Sequence, residues 1–143
     1  MPDPIQTALV RFAQGFNCSQ SVLCAFASKA GIDDETALKL ASPFGGGVAH
    51  QGDVCGAVSG ALMALGLGRG SATVDQKDET YRLAEDFIQR FQERHGSILC
   101  RELIGHDIST AAGLQSAREQ KVFKTICPGL VKDATEIVAE FLK

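Results

Sequence analysis

Apolar residues recur at intervals of three and four along most of this chain, the spacing of one buried face of an α-helix. The first such run is Ile5, Ala8, Leu9, Phe12, Ala13 and Phe16, with Asp3 as its N-cap and Gly15 as its natural end. A second helix is predicted from Cys18 to Ala30, capped by Asn17, with Val22, Leu23, Phe26 and Ala27 facing inward and Gly31 as its stop. Asp33 caps a third, short helix through Ala37, Leu38 and Ala41, which Pro43 closes. A Gly-rich connection, read as flexible, then spans residues 44–52.

The segment that follows has no polar face. Val54, Ala57, Val58, Ala61, Leu62, Met63, Leu65 and Leu67 surround it, so a helix over about 54–67 is predicted to be the buried centre of the fold. Gly56 and Gly60 lie four apart within it, with Ala64 continuing the row. Each helical glycine costs about 1 kcal/mol against alanine, which points to close approach of another backbone or a ligand on that side.

Beyond a polar link at 68–75, Tyr81, Ala84, Phe87, Ile88 and Phe91 form the inner face of a long amphipathic helix. Lys77, Asp78, Glu85, Asp86, Arg90 and Glu93 form its solvated face, and Gly96 ends it. A short helix covers 98–104 and stops at Gly105, 106–115 reads as irregular or weakly helical, and 118–126 as helix. The last helix opens at Pro128 and buries Leu130, Val131, Ala134, Ile137, Val138 and Phe141. No strand pattern of useful length and no internal repeat occur. The expectation is one all-α domain over residues 1–143, a bundle of six to eight helices.

Composition narrows the partners. The chain is 45% hydrophobic and 22% charged, with a formal net charge of −3 and no long run of either sign. A phosphate-binding surface needs a basic patch, and none is present; with no Trp and one Tyr, a base-stacking platform is poorly supplied too. Nucleic acid is not the expected partner. The apolar run from Val54 to Leu67 is shorter than the roughly 20 residues a bilayer span requires. The opening Met1-Pro2-Asp3-Pro4 has neither the basic nor the apolar part of a secretory signal. A cytoplasmic location is expected, where lasting structural disulfides are uncommon and cysteines are more often catalytic, redox-sensing or metal-binding.

That setting gives weight to where the cysteines fall. Cys18 follows the Asn17 cap, Cys55 follows the Gly-rich loop, Cys100 lies three residues after Ser97, itself a candidate cap, and Cys127 precedes Pro128. All four therefore stand at predicted helix starts, where unpaired N–H groups and the positive end of the helix dipole favour a thiolate. Cys24 sits mid-helix among Leu23, Ala25 and Phe26 and reads as a small core residue. Cys55 is the leading candidate for a lowered pKa, with polar groups of His50-Gln51-Gly52-Asp53 within reach. Cys18 and Cys55, whose helices flank the loop, form the first expected pair.

Several motifs are missing. There is no C-x-x-C, no C-x-x-C-H and no clustered ferredoxin spacing, so the four cysteines can meet only through tertiary packing. Gly45–Gly47 lacks the G-K-[ST] ending of a phosphate-binding loop. His50, His95 and His106 are scattered, His95 near a helix end where it complements the dipole. A bundle that aims several helix starts at one end would gather the four sulfurs. Two pairs would suit reversible disulfides; four thiolates would suit Zn²⁺ or an iron–sulfur cluster, with Cys18, Cys55, Cys100 and Cys127 as ligands. The third reading is a helical subunit with incidental cysteines.

The run Gly52-Asp53-Val54-Cys55-Gly56-Ala57-Val58-Ser59-Gly60-Ala61-Leu62-Met63-Ala64-Leu65-Gly66 resembles the C_GCAxxG_C_C family of bacteria and archaea, whose members are described as redox-active proteins. The resemblance extends upstream to Asn17-Cys18 with Gln20-Ser21-Val22-Leu23. Downstream it takes in Cys100-Arg101-Glu102-Leu103, Gly105-His106-Asp107 and Cys127. It implies four functional cysteines, here Cys18, Cys55, Cys100 and Cys127, and leaves Cys24 outside the pattern. It also implies thiol–disulfide or electron exchange with a redox partner protein or a small thiol, with a metal- or cluster-binding module as the alternative. Substrate, cofactor and oligomeric state stay open.

Overall fold

The computed structural model describes residues 3–143; Met1 and Pro2, the first half of the opening segment read above, lie outside the described residues. Among the described residues the chain is all-α. It has eight helices of five residues or more, plus one four-residue turn. In order they are α1 (Pro4–Ala13), α2 (Cys18–Ala27), α3 (Asp34–Ala41), α4 (Gly56–Arg69), α5 (Lys77–His95), α6 (Cys100–Ile104), α7 (Ala111–Glu119), the single turn α8 (Val122–Thr125) and α9 (Cys127–Phe141).

The predicted caps form. Asp3 accepts from the amide of Ile5, and Asp33 from that of Thr36. Asn17 makes a full capping box: its side chain accepts from the Gln20 amide while the Gln20 side chain accepts from the Asn17 amide. Gly15 and Gly31 take positive φ just beyond α1 and α2, although α2 ends at Ala27, three residues earlier than predicted.

At the centre, α4 crosses α2 at very short range. A Cβ on Gly60 would stand 2.5 Å from the Ser19 carbonyl oxygen, and one on Gly56 would stand 3.0 Å from the Ser19 amide and 3.2 Å from Cys18 Cβ. This close approach is what the glycine row of α4 permits, and it sets Cys18 beside the start of α4. Around this crossing α1 and α3 pack on α2, while α5 and α9 pack on α4. The main core includes Val22, Leu23, Phe26, Ala57, Val58, Ala61, Phe87, Phe91, Val131, Ile137 and Val138. A lesser cluster of Cys100, Ile104, Ile108, Ala117, Val122 and Cys127 underlies the α6–α8 region, and Cys18 packs against both clusters.

Three local expectations change. Tyr81 is not on the inner face: it is 58% exposed, and of α5 Phe87 and Phe91, further along, are the buried residues. The 106–115 stretch contains the start of a real helix, α7, capped by Thr110 on the Gly113 amide. The predicted 118–126 helix is split by Lys121 at φ +58°.

Along the charged face of α5, Arg90 pairs with Glu140 and Arg94 with Glu136 on α9. His95 Nε2 lies 2.9 Å from Asp133 Oδ2, so His95 meets a carboxylate as well as its own helix end.

Candidate functional site

Each of the four expected cysteines stands at a helix start. Cys18 is the first residue of α2, Cys55 is the N-cap of α4, and Cys100 and Cys127 are the first residues of α6 and α9. The cap before Cys100 is Leu99 rather than Ser97. The Ser97 hydroxyl accepts from the Leu99 amide and donates to Glu102, bracing the turn instead.

Two backbone devices bring these starts together. An antiparallel bridge at Val54 and Leu99, with the Cys55 amide donating to Ile98 and the Cys100 amide donating to Asp53 (2.7 Å each), holds the entries of α4 and α6 side by side. The second device is the loop at 44–52, which is folded rather than open. Residues 46–50 all have positive φ, including Val48, Ala49 and His50. The amides of Ala49, His50, Gly52 and Asp53 donate to the carbonyls of Pro43, Gly45, Gly46 and Gly47, which closes the loop on itself. Its glycines serve contact: a Cβ on Gly47 would stand 2.6 Å from the Asp53 amide and 2.7 Å from Cys100 Cβ, and one on Gly45 would stand 2.8 Å from Asn17 Cβ. The loop thus seals against both the α2 cap and the α6 start.

The result is a partly open cavity of about 940 Å³ whose lining includes all four cysteines. Cys55, Cys100 and Cys127 are 3%, 7% and 6% exposed, while Cys18 is half-buried. Cys24 is buried in the main core and does not reach the cavity. The rest of the wall is largely apolar, with Leu9, Phe12, Phe16, Phe123 and Leu130, and its basic side chains among the described residues are His50 and Lys124. Phe12 and Phe16 are legible in sequence only as apolar positions of the first helical run, and Lys124 and Phe123, from α8, carry no sequence signal that places them at this wall.

The thiols differ sharply. Hydrogen bonding toward Cys127, then burial, then the nearby Cys55, Cys127 and Cys100 sulfurs, raise Cys18 well above an ordinary thiol. The same hydrogen bonding lowers Cys127, because a thiol at Cys18 stabilises a thiolate at Cys127. Cys55, expected to be the low-pKa thiol, is instead pushed up to about 11. Burial outweighs the Ala57 and Val58 amides at the helix start, which pull the other way. Cys100 is pushed up to about 12 by burial and by its Cys55 and Cys127 neighbours. Both Cys127 and Cys55, the expected partner, therefore act on the Cys18 thiol, Cys127 the more strongly.

All five cysteines are free thiols. Among the described residues, no three His, Cys, Asp or Glu side chains stand in a metal-ligating arrangement. The four sulfurs thus line a cavity without converging on one point as a single ion would need. Among the described residues, no helix is long and apolar enough to cross a membrane.

No curated protein and no solved structure matches the chain. Residues 16–141 match the family described as "Putative redox-active protein (C_GCAxxG_C_C)", a span that runs from the Asn17 cap through all four cavity cysteines to the end of α9. With the match covering most of the chain, this protein belongs to the C_GCAxxG_C_C family.

Proposed function

We propose that this protein is a thiol–disulfide exchanger in which Cys127 is the attacking thiolate, Cys18 resolves, and Cys55 with Cys100 forms a second pair within reach. The observation that carries the reading is that one cavity is lined by all four thiols. Exchange needs a thiolate with a neighbouring thiol, and the opposite shifts of Cys18, raised, and Cys127, lowered, support that pair in those roles.

The Cys127 thiolate attacks one sulfur of a disulfide RSSR. The S–S bond breaks, the first RS⁻ leaves and takes a proton from water, and a mixed disulfide forms on Cys127. Cys18 then gives up its proton and attacks Cys127 Sγ, and the second RS⁻ leaves as RSH. In sum, RSSR and two protein thiols become two RSH and a Cys18–Cys127 disulfide, with two electrons passing from the protein to the substrate. In a reducing compartment the protein rests in its dithiol form.

The test is redox titration of anaerobically purified protein in dithiothreitol buffers, followed by alkylation and peptide mapping. Expected is a reversible two-electron couple that maps to Cys18 and Cys127 and is lost in Cys127→Ser. No reversible couple, or stoichiometric Zn or Fe bound to thiols that never oxidise, would overturn the reading in favour of a metal-binding module.

A further inference from the structure

We propose that the oxidant this site accepts is a small, partly apolar disulfide carrying negative charge, rather than the disulfide of another protein. This rests on the thiol-exchange reading above and assigns its substrate class.

Three observations converge. First, access: Cys127 is 6% exposed and forms part of the wall of the cavity, so an attacked sulfur must enter it. A disulfide held in a folded protein surface must leave that surface to reach a sulfur so buried, whereas a free small disulfide need not. Second, size and lining: about 940 Å³ is within the range that encloses a small organic ligand, and the wall includes Phe12, Phe16, Phe123 and Leu130. Exchange with a bare sulfur atom would not need that space. Third, charge: the protein has 17 acidic against 14 basic side chains, yet among the described residues no Asp or Glu lines the cavity, whereas Lys124 and His50 do. The helix starts at Cys18, Cys55 and Cys127, which also line the cavity, add partial positive charge. An apolar wall whose charged side chain is Lys124, with no carboxylate in it among the described residues, suits an aromatic or aliphatic body with a carboxylate. The leaving RS⁻ is itself an anion, so the same groups favour its departure.

The atom balance is that of the exchange above, with RSSR the small anionic disulfide: it is reduced to two RSH while Cys18 and Cys127 are oxidised to their disulfide.

The experiment measures second-order oxidation rates of the fully reduced protein by three disulfides: dithiobis(nitrobenzoate), which is aromatic and anionic; cystamine, which is small and cationic; and insulin, a protein disulfide. Each rate is divided by that of the same disulfide with free glutathione, and Cys127→Ser and Lys124→Ala variants are run in parallel. Expected is a saturable reaction with dithiobis(nitrobenzoate), about tenfold or more faster on this scale than with cystamine and faster still than with insulin, with Lys124→Ala reducing the margin over cystamine. Equal or greater normalised rates with insulin or cystamine, still dependent on Cys127, would overturn the substrate class and leave thiol exchange standing. Rates unchanged in Cys127→Ser for every disulfide would overturn both.

Discussion

At the scale of single residues, the decisive contest is between helix-start electrostatics and burial. A helix start stabilises a thiolate by roughly 0.3–1 kcal/mol when exposed, while sealing a sulfur in hydrocarbon opposes ionisation more strongly. At Cys55 burial wins, and the thiol rises from 9.0 to about 11; at Cys127 hydrogen bonding with Cys18 outweighs burial and lowers it. Alkylation with iodoacetamide, mapped by peptide, is therefore expected to modify Cys127 below the pH at which a free thiol reacts, and Cys55 and Cys100 only above it. Equal onset at all three sites would contradict this ordering. The same shifts act on stability. Cys55 and Cys100 bind their protons more tightly folded than unfolded, so their contribution is complete below about pH 9, where an unfolded thiol titrates, and is lost as pH rises through about 11 and 12. Urea midpoints are expected to fall across that window, and to fall less in Cys55→Ala. Cys55 was chosen from sequence by its place after the loop, and the place was correct. Its pKa was not readable, because it depends on α6, α9 and the loop closing over it.

At the scale of elements, the glycines of α4 divide by what they touch. Gly60 faces the Ser19 backbone with no room for a methyl group, whereas a Cβ on Gly66 meets nothing within 4 Å. Gly60→Ala is expected to cost about 1–3 kcal/mol in chemical denaturation as α2 is forced from α4. Gly66→Ala is expected to add up to about 1 kcal/mol through helix propensity. If both variants gained stability, the α2–α4 crossing would not be as close as described. The loop offers the opposite experiment. Val48 is a β-branched residue at φ +66° and 37% exposed, so it has left-handed strain and little packing to lose. Val48→Gly is expected to raise stability by about 1 kcal/mol, read from the same denaturation curves. The helix starts were legible because caps are local: Asn17, Asp33 and Pro128 mark them within one or two residues. The loop was read as flexible because three consecutive glycines carry no sign of what presses on them. The 106–115 stretch reads as irregular or weakly helical because Gly113 weakens a first turn that the Thr110 cap nonetheless supports. Gathering the cysteines was legible only as an inference from four helix starts; the cavity between the two clusters, with its aromatic wall and Lys124, depends on parts of the chain more than a hundred residues apart.

At the scale of the whole molecule, the cavity is a junction. Cys55 belongs to the main core, Cys100 and Cys127 to the lesser cluster, and Cys18 touches both. Oxidation of Cys18 and Cys127 would tie the start of α2 to the start of α9 and close a loop of roughly a hundred residues. For a loop of that length the chain-entropy account gives about 4–5 kcal/mol from restricting the unfolded chain, less any native-state strain. The helices concerned already pack together in the thiol form, since α9 contacts α1, α2 and α4, so the bond would join elements that need little movement. Oxidised protein is therefore expected to unfold at higher urea concentration than reduced protein. Cys18→Ser or Cys127→Ser should abolish the difference, and Cys24→Ser, remote from the cavity, should leave it intact. The Cys24 variant separates the two explanations of a gain. A general effect of oxidation would depend on any thiol, whereas a clamp between the two clusters depends only on the pair that spans them. A reduced form as stable as the oxidised one would mean that the bond distorts the junction by as much as it restricts the unfolded chain, and that the two helix starts are not poised for it.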